Sequence, residues 1–148
     1  MNCSILNSSI GRICILGDTK IHKIIISDDF KENPSKLTNT AKAQLQEYFL
    51  KKRKTFSFPI QLHGTTFENK IYAALAKIPF SKTTSYGELS NLIFNSKKYA
   101  RPIGNALNKN QLLIVIPCHR VKSNSGIGGF NQGINIKEFL LNHESVNI

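Results

Sequence analysis

The sequence predicts an α+β fold, with a small N-terminal α/β subdomain of sheet plus helix over residues 1–63 and a mainly helical C-terminal domain over residues 64–148. Three patterns predict it: short apolar runs near the start, later apolar residues at helical spacing, and an order of helices that resembles a helix-turn-helix. A chain of 148 residues with 41% hydrophobic residues is long and apolar enough to bury a core.

The N-terminal subdomain is predicted from apolar runs and one helix. Runs 13–16 and 24–26 are typical of strands, and the turn-prone pair Gly17-Asp18 separates them. Apolar residues at helical spacing predict an amphipathic helix over about 36–50. A further run over 58–62 predicts a strand that leads to the domain boundary after residue 63.

Two capping patterns begin the helices of the C-terminal domain. Thr65-x-x-Glu68 opens one helix, which ends before residue 79, and Ser85-x-x-Glu88 opens a shorter one. Pro102 suits the first position of a third helix, because its missing N–H needs no intrahelical partner there. This helix is predicted to run to about residue 108, which completes the helix-turn-helix pattern.

The charge pattern indicates a polyanionic partner. Twenty Lys and Arg residues against nine Asp and Glu residues give a net charge of +11, and residues 89–137 contain seven basic residues and no acidic one. Such an excess favours nucleic acid, with an anionic membrane surface as the second choice. The longest apolar run, 112–116, is far shorter than the roughly 20 residues of a membrane-spanning helix. We therefore expect no membrane partner.

The three cysteines, Cys3, Cys14 and Cys118, predict free thiols in a reducing compartment. Their number is odd, and the first residues lack the basic and apolar segments of a secretion signal. We therefore expect a cytoplasmic protein that associates with the nucleoid through DNA. The sequence contains no CxxC or HExxH motif, and we expect no metal and no cofactor.

The candidate nucleophile is Cys118. The apolar run 112–116 should be buried, and Pro117 ends it, which leaves Cys118 and His119 at the edge of the core. A thiol becomes a useful nucleophile as thiolate, and a neighbouring imidazole lowers its pKa. A free cysteine is also commonly a small buried hydrophobe, and adjacent side chains on an extended chain point to opposite faces. A water relay would connect the two groups in that case.

A carboxylate and a glycine-rich segment follow the cysteine. Glu138 stands in Asn135-x-x-Glu138, where it either caps its own helix or orients His119 and completes a Cys/His/Glu relay. The glycine-rich segment 125–133 lacks the residues of a phosphate-binding loop. It is typical of a loop whose backbone approaches a flat ligand.

Four motifs in order resemble the O6-alkylguanine-DNA alkyltransferase family. They are TSYGE at 84–88, Arg101 with GNAL at 104–107, IPCHRV at 116–121 and KEFLLNHE at 137–144. The match covers about residues 65–144, and its PCHR core is highly specific. The N-terminal part resembles the smaller domain of the family more loosely.

The resemblance implies direct reversal of DNA alkylation damage. A member of this family binds double-stranded DNA that contains O6-alkylguanine, as a monomer, and flips the base into a pocket. It transfers the alkyl group irreversibly to the residue that matches Cys118, once per molecule. The implied roles are a base acting through water for His119, orientation of His119 for Glu138, and support of the active-site turn for Asn110.

The resemblance also implies DNA- and base-binding residues, namely Tyr86, Arg101, Val121, Phe130 and Asn131. Tyr86 matches a hydrogen-bond donor to the flipped guanine, and Arg101 matches a residue that enters the base stack. The carbonyls of Cys118 and Val121 match acceptors for the exocyclic amine of guanine, and the segment with Phe130 forms a wall of the pocket.

Three alternatives remain at this point. A non-catalytic lesion-binding relative would lack the cysteine, which this chain has at Cys118. A helix-turn-helix regulator would explain the basic helices but not a thiol beside the core. A thiol hydrolase would need turnover and an oxyanion hole, so stoichiometric product release would argue against it.

Overall fold

The structure is a computed structural model that describes residues 1–123 and 126–145. Within these ranges the chain forms five α-helices and five β-strands, which confirms a mixed helix and sheet fold. It divides into two compact units. The first comprises Met1–His63 and Gln111–Leu113, and the second comprises Gly64–Asn110 and the chain from Ile114 onward. The domain limits of 1–63 and 64–148 stay a prediction.

The first unit contains an antiparallel sheet of three strands, β1 (Asn2–Ser8), β2 (Gly11–Gly17) and β3 (Ile21–Ile26), with β2 in the centre. The predicted runs 13–16 and 24–26 lie within β2 and β3. Strand β1 was not predicted, because its sequence, NCSILNS, mixes polar and apolar residues without a clear alternation.

Helix α1 (Lys36–Phe49) packs on this sheet, which confirms the helix predicted over about 36–50. The side chain of Ser35 caps its first turn by accepting from the backbone N–H of Thr38. The strand predicted over 58–62 does not form, since Ile60 makes only an isolated bridge to Ile21.

The second unit contains helices α2 (Thr66–Leu75), α3 (Tyr86–Phe94), α4 (Ala100–Leu107) and α5 (Ile134–Ser145). Within the described ranges, no helix has the length and apolar character needed to cross a membrane. Helix α4 begins two residues before Pro102, so this proline is its third residue rather than its first. Because the N–H groups of a first helical turn have no intrahelical acceptor, Pro102 still removes no helical hydrogen bond.

The apolar run before Cys118 forms a turn rather than a buried strand. Ile114 has a φ of +72°, in the left-handed region that β-branched residues rarely adopt. Its side chain is buried, so the surrounding core holds the backbone in this conformation. This conformation was not predicted, because nothing in an apolar run signals a left-handed residue.

A short parallel pair of strands places the cysteine segment beside α3. Strand β4 (Thr84–Ser85) immediately precedes α3, and β5 (Val121–Lys122) follows Cys118 by three residues. Thr84 lies opposite Val121 in this pair. Backbone pairing of two such short strands gives no periodic signal in the sequence, which is why it was not predicted.

The start of α2 can be tested through its capping box. The Thr65 side chain accepts from the Glu68 N–H, and the Glu68 carboxylate accepts from the Thr65 N–H. We predict that Thr65→Ala lowers the free energy of unfolding by about 1 kcal/mol, because the Glu68 N–H loses its side-chain acceptor. Thr66→Ala, at the neighbouring exposed position, should change it by less than about 0.5 kcal/mol. Equal losses in urea denaturation would contradict the capping role.

Candidate active site

Cys118 begins a single 3-10 turn, Cys118–Arg120, directly after Pro117. The side-chain amide of Asn110 donates to the Ile116 carbonyl at 2.9 Å and to the Cys118 sulfur at 3.3 Å. Cys118 is 4% exposed and Asn110 is also buried. Asn110 therefore fixes both the turn and the thiol that it presents.

The protein environment keeps this thiol protonated at rest. Burial raises the pKa of Cys118 to about 11, although the Asn110 hydrogen bond and the positive charge of Lys137 oppose the increase. Only a small fraction is thiolate at neutral pH as a result. A reaction at this sulfur therefore requires a base that removes its proton.

The base candidate, His119, is held by a carboxylate. Its Nε2 atom lies 2.6 Å from Oε2 of Glu144, and neither side chain has appreciable solvent exposure. Arg120 donates to both oxygens of the same carboxylate, from Nε at 2.9 Å and from Nη2 at 3.0 Å. The Glu144 carboxylate thus accepts hydrogen bonds both from the imidazole of His119 and from the buried guanidinium of Arg120.

Glu144 is in turn anchored to the segment before β4. Ser81 donates from its hydroxyl to the Glu144 backbone carbonyl at 2.6 Å and from its N–H to the carboxylate at 3.3 Å. Ser81 has a φ of +68°, which is unfavourable for a serine. These two hydrogen bonds to Glu144 offset the cost of that conformation.

The network fixes the protonation states. Burial disfavours the charged carboxylate, yet the hydrogen bonds from His119 and Arg120 lower the pKa of Glu144 to about 2. Burial also lowers the pKa of His119, against the opposing effect of Glu144. At neutral pH the histidine is therefore neutral. An ionised carboxylate only accepts hydrogen bonds, so the single ring proton of His119 must be on Nε2, which faces Glu144.

This tautomer leaves Nδ1 of His119 with a lone pair. Among the described residues, Nδ1 is a buried side-chain nitrogen that has no hydrogen-bonding partner. Buried polar atoms normally have one, often an ordered water molecule. The imidazole therefore presents an unused acceptor on the side opposite its carboxylate.

The structure gives the carboxylate role to Glu144 and not to Glu138, so that prediction is wrong. Helix α5 begins at Ile134, which places Asn135 inside the helix instead of at its cap. At 3.6 residues per turn, Lys137 and Glu144 then share the buried face, and Glu138 is exposed. The spacing of the buried positions could have identified Glu144, which lies in the same motif.

Lys137 is a functional candidate that the sequence analysis missed. Its side chain is fully buried, and Nζ donates to the carbonyls of Val121 at 2.6 Å and Gly129 at 3.0 Å. Burial lowers its pKa to about 8, although Cys118 acts in the opposite direction. The amine therefore remains largely protonated at neutral pH, and its charge acts on the thiol. A lysine on the apolar face of α5 was the available signal.

Tyr86 and Lys137 converge at Gly128. A Cβ atom on this glycine would lie 3.3 Å from the Tyr86 hydroxyl and 3.4 Å from Lys137 Nζ, and the glycine φ is +79°. A side chain is therefore disfavoured there by both space and backbone conformation. Burial raises the pKa of Tyr86, so the phenol is protonated and can donate a hydrogen bond.

The other predicted site residues lie at different places in the second unit. Arg101 is exposed at the second position of α4. Val121 is buried and its carbonyl accepts from Lys137, and Phe130 is partly buried. Asn131 is exposed and donates to two backbone carbonyls. Of the glycine-rich segment 125–133, residue 125 lies outside the described residues.

No metal-binding group is evident in the part of the chain that the structure describes. Among these residues, no three His, Cys, Asp or Glu side chains are placed to hold an ion together. In the first unit, His22 contacts Asp18 at 2.8 Å and His63 at 2.7 Å, so both of its ring nitrogens have protein partners. The absence of a metal stays a prediction.

Comparison with known proteins gives consistent matches. The family model "6-O-methylguanine DNA methyltransferase, DNA binding domain" matches residues 66–146. A methylated-DNA–protein-cysteine methyltransferase of Methanosarcina mazei is 37% identical over 155 residues, which cover 97% of this chain and 97% of that protein. The constitutive protein of the same name from Bacillus subtilis is 42% identical over 120 residues, or 80% of this chain and 71% of that protein.

Solved structures match over nearly the whole chain. The crystal structure of Mycobacterium tuberculosis O6-methylguanine methyltransferase is 29% identical, with a TM-score of 0.89. The crystal structure of OGT from the same organism in complex with DNA is 30% identical, with a TM-score of 0.90. Each match covers 99% of this chain and 94% of the other.

The assignment of Glu144 can be tested through acid stability. Its pKa is about 2 in the folded protein and higher in the unfolded chain, so Glu144 stabilises the fold above about pH 4.5 and loses this effect as the pH falls toward 2. We predict that Glu144→Gln lowers the free energy of unfolding at pH 7 by about 3 kcal/mol. The difference in the free energy of unfolding between Glu144→Gln and wild type should become smaller below pH 4.5.

Glu138→Gln is the matched control, because it makes the same chemical change at an exposed position of the same helix. Its effect in urea denaturation should stay within about 0.5 kcal/mol at every pH. Equal effects of the two substitutions, or an effect of Glu144→Gln that does not depend on pH, would contradict the assignment.

Proposed function

Because the chain belongs to the O6-methylguanine-DNA methyltransferase family, we propose that it repairs O6-alkylguanine in duplex DNA by taking the alkyl group onto Cys118. The observation that carries this proposal is the arrangement of the thiol. Asn110 holds the Cys118 sulfur at 3.3 Å, and the next residue, His119, is a neutral base held by Glu144. A buried thiol with a base beside it suits one nucleophilic displacement.

The chemical step is a displacement at the alkyl carbon. The Cys118 sulfur attacks the methyl group, the new S–C bond forms, and the bond between that carbon and guanine O6 breaks. The electron pair of the broken bond goes to the guanine, which takes up a proton and becomes ordinary guanine. The thioether that remains on Cys118 has no leaving group that regenerates the thiol, so each molecule reacts once.

The proton of the thiol leaves through His119. We place a water molecule between Nδ1 of His119 and the sulfur, because Nδ1 is buried and its lone pair has no partner among the described residues. The water passes the thiol proton to Nδ1, and the Glu144 carboxylate stabilises the imidazolium through Nε2. Glu144 therefore acts as a positioning residue for His119.

Two further side chains support the transfer electrostatically. The ammonium group of Lys137 favours the thiolate, as its lowering effect on the pKa of Cys118 indicates. The protonated hydroxyl of Tyr86, next to it at Gly128, donates to the guanine as negative charge develops on the base. The carbonyl of Val121 already accepts from Lys137 and has a second lone pair for the exocyclic amine of guanine.

The DNA-binding surface of this proposal is formed by α3 and α4 as a helix-turn-helix. Helix α4 carries Arg101 at its second position, exposed, while the lysines at 97 and 98 precede it. Arg101 enters the base stack when the damaged guanine leaves it, which offsets part of the few kcal/mol that flipping costs. The net charge of +11 supplies phosphate contacts, so the affinity falls as salt concentration rises.

The remaining parts of the proposal concern the setting of the reaction. The protein acts as a monomer, without a cofactor, in the cytoplasm, where a reducing environment keeps the acceptor thiol available. All side chains assigned to the chemistry come from the second unit, which supports a site formed within one chain.

The proposal is tested by mass spectrometry of the purified protein after incubation with excess duplex that contains one O6-methylguanine. We predict a gain of one methylene equivalent, located on Cys118 and limited to one per molecule. Cys118→Ala should bind the duplex with wild-type affinity but gain no mass. Cys3→Ala, at a buried thiol of the first unit, should react as wild type does.

Each contrary result has a definite meaning. Binding without a change of mass would identify a lesion-binding protein, and repeated release of product would identify a hydrolase. Methylation of the Cys118→Ala variant would refute the choice of acceptor. Sequence-specific binding to undamaged DNA with no preference for the lesion would favour a regulator.

The proposed proton path from Cys118 through water to His119 can be tested separately by the rate of methyl transfer. Glu144→Gln should slow methyl transfer at saturating DNA by about 10- to 10⁴-fold, the range of general-base effects, because His119 loses the carboxylate that orients it. The measurement is a single-turnover time course with the folded protein verified by circular dichroism. The DNA dissociation constant should stay at its wild-type value.

Glu138→Gln provides the control for this rate measurement as well and should react at the wild-type rate, because Glu138 is exposed. A wild-type rate for a folded Glu144→Gln protein would remove the relay from the proposal. A slow rate for Glu138→Gln would instead assign the orientation of His119 to Glu138, as the resemblance first suggested.

A further inference from the structure

The turn between α3 and α4, which we define as residues 95–99, is held by one buried side chain. Ser90 belongs to α3 and is fully buried. Its hydroxyl donates to the backbone carbonyl of Ser96 and accepts from the backbone N–H of Tyr99 at 3.1 Å. A single hydroxyl of α3 therefore binds the backbone at two points of the turn that leads into α4.

Helix α4 does not begin with the capping box that begins α2. In a capping box, the side chain of the third helical residue accepts from the N–H of the residue before the helix. In α4 the third residue is Pro102, whose ring has no acceptor atom, and the residue before the helix is Tyr99. Ser90 accepts from the Tyr99 N–H instead. The contact that fixes the start of α4 is therefore supplied by α3.

Aromatic packing attaches the same turn to α3. The ring centroid of Tyr99 lies 4.7 Å from that of Phe94, the last residue of α3. The Phe94 ring in turn stacks on Phe67 of α2, with 5.1 Å between the ring centroids. These ring contacts add to the hydrogen bonds that Ser90 makes. The turn is thus attached to α3 both through its backbone and through the Tyr99 side chain.

The turn ends directly before the residue that the proposed function assigns to the base stack. Arg101 is the second residue of α4, two positions after Tyr99, and it is exposed. The direction of a helical side chain is set by the backbone that carries it. A shift at the start of α4 therefore moves Arg101 relative to α3, the other helix of the proposed DNA-binding surface.

We infer that Ser90 is a positioning residue for base flipping, because it fixes the backbone from which Arg101 enters the base stack. This inference rests on the proposed function, and it concerns a residue that is too deeply buried to touch DNA itself. With the Ser90 hydroxyl in place, the start of α4 is ordered before DNA binds. Without it, part of the binding free energy is used to order the turn, and Arg101 stabilises the flipped state less.

The test uses two substrates to separate base flipping from the chemical step. A duplex that contains one O6-methylguanine requires flipping, whereas the free base O6-methylguanine does not. Single-turnover transfer rates, at saturating duplex and at one fixed concentration of the free base, are measured for the wild type, Ser90→Ala, Arg101→Ala and the double variant. The ratio of the duplex rate to the free-base rate cancels any change in the reactivity of Cys118.

Ser90→Ala should lower this ratio by about fivefold, because the loss of a neutral hydrogen bond changes an equilibrium constant by roughly 2- to 12-fold. In the Arg101→Ala background, the same substitution should change the ratio by less than about twofold, because no arginine remains to be positioned. Ser90→Cys carries the same expectation as Ser90→Ala, since a thiol is a weak donor and acceptor. Poor folding of one variant therefore does not remove the test.

Ser4→Ala is the matched control, because Ser4 is a fully buried serine of the first unit whose hydroxyl also makes hydrogen bonds. It should lower the free energy of unfolding but leave the ratio at its wild-type value. An unchanged ratio for Ser90→Ala, an equal loss for Ser4→Ala, or an equal loss with and without Arg101 would overturn the inference and leave the proposed function in place. Absence of transfer to the wild type from both substrates would instead overturn the proposed function.

Discussion

The buried carboxylate of Glu144 is the group on which the rest of the site depends. It accepts from His119, from Nε and Nη2 of Arg120 and from the backbone N–H of Ser81. A lone carboxylate at this depth would be protonated, and a lone guanidinium would be strongly destabilising. Together they are tolerated, and the result is a histidine whose protonation state and tautomer are fixed before any substrate arrives.

The activation of the thiol is divided among several elements because no single neighbour suffices. Burial raises the pKa of Cys118 to about 11, which protects the thiol from adventitious chemistry while it waits for a lesion. Asn110 and Lys137 lower the cost of the thiolate, and in the proposed mechanism His119 takes the proton. For a protein that reacts once, a thiol that is unreactive without substrate is an advantage.

The features that the sequence predicted correctly are those that produce a local pattern of residue types. The helices α1 and α2 were predicted because apolar spacing and capping residues are local patterns, and Cys118 because its motif is distinctive. Glu138 was chosen wrongly, because the start of α5 lies one residue before the cap-like Asn135. The left-handed Ile114 depends on tertiary packing, which local sequence does not encode, whereas the spacing along α5 could have indicated the buried Lys137.

The central claim is that Glu144 holds His119 neutral, with its proton on Nε2 and its lone pair on Nδ1. The most direct measurement is the ¹⁵N NMR spectrum of the ring nitrogens of His119 at neutral pH, assigned by comparison with His119→Gln. The account predicts a protonated Nε2 and an unprotonated Nδ1, a pattern that Glu144→Gln alters. A proton on Nδ1, or an imidazolium at neutral pH, would contradict it.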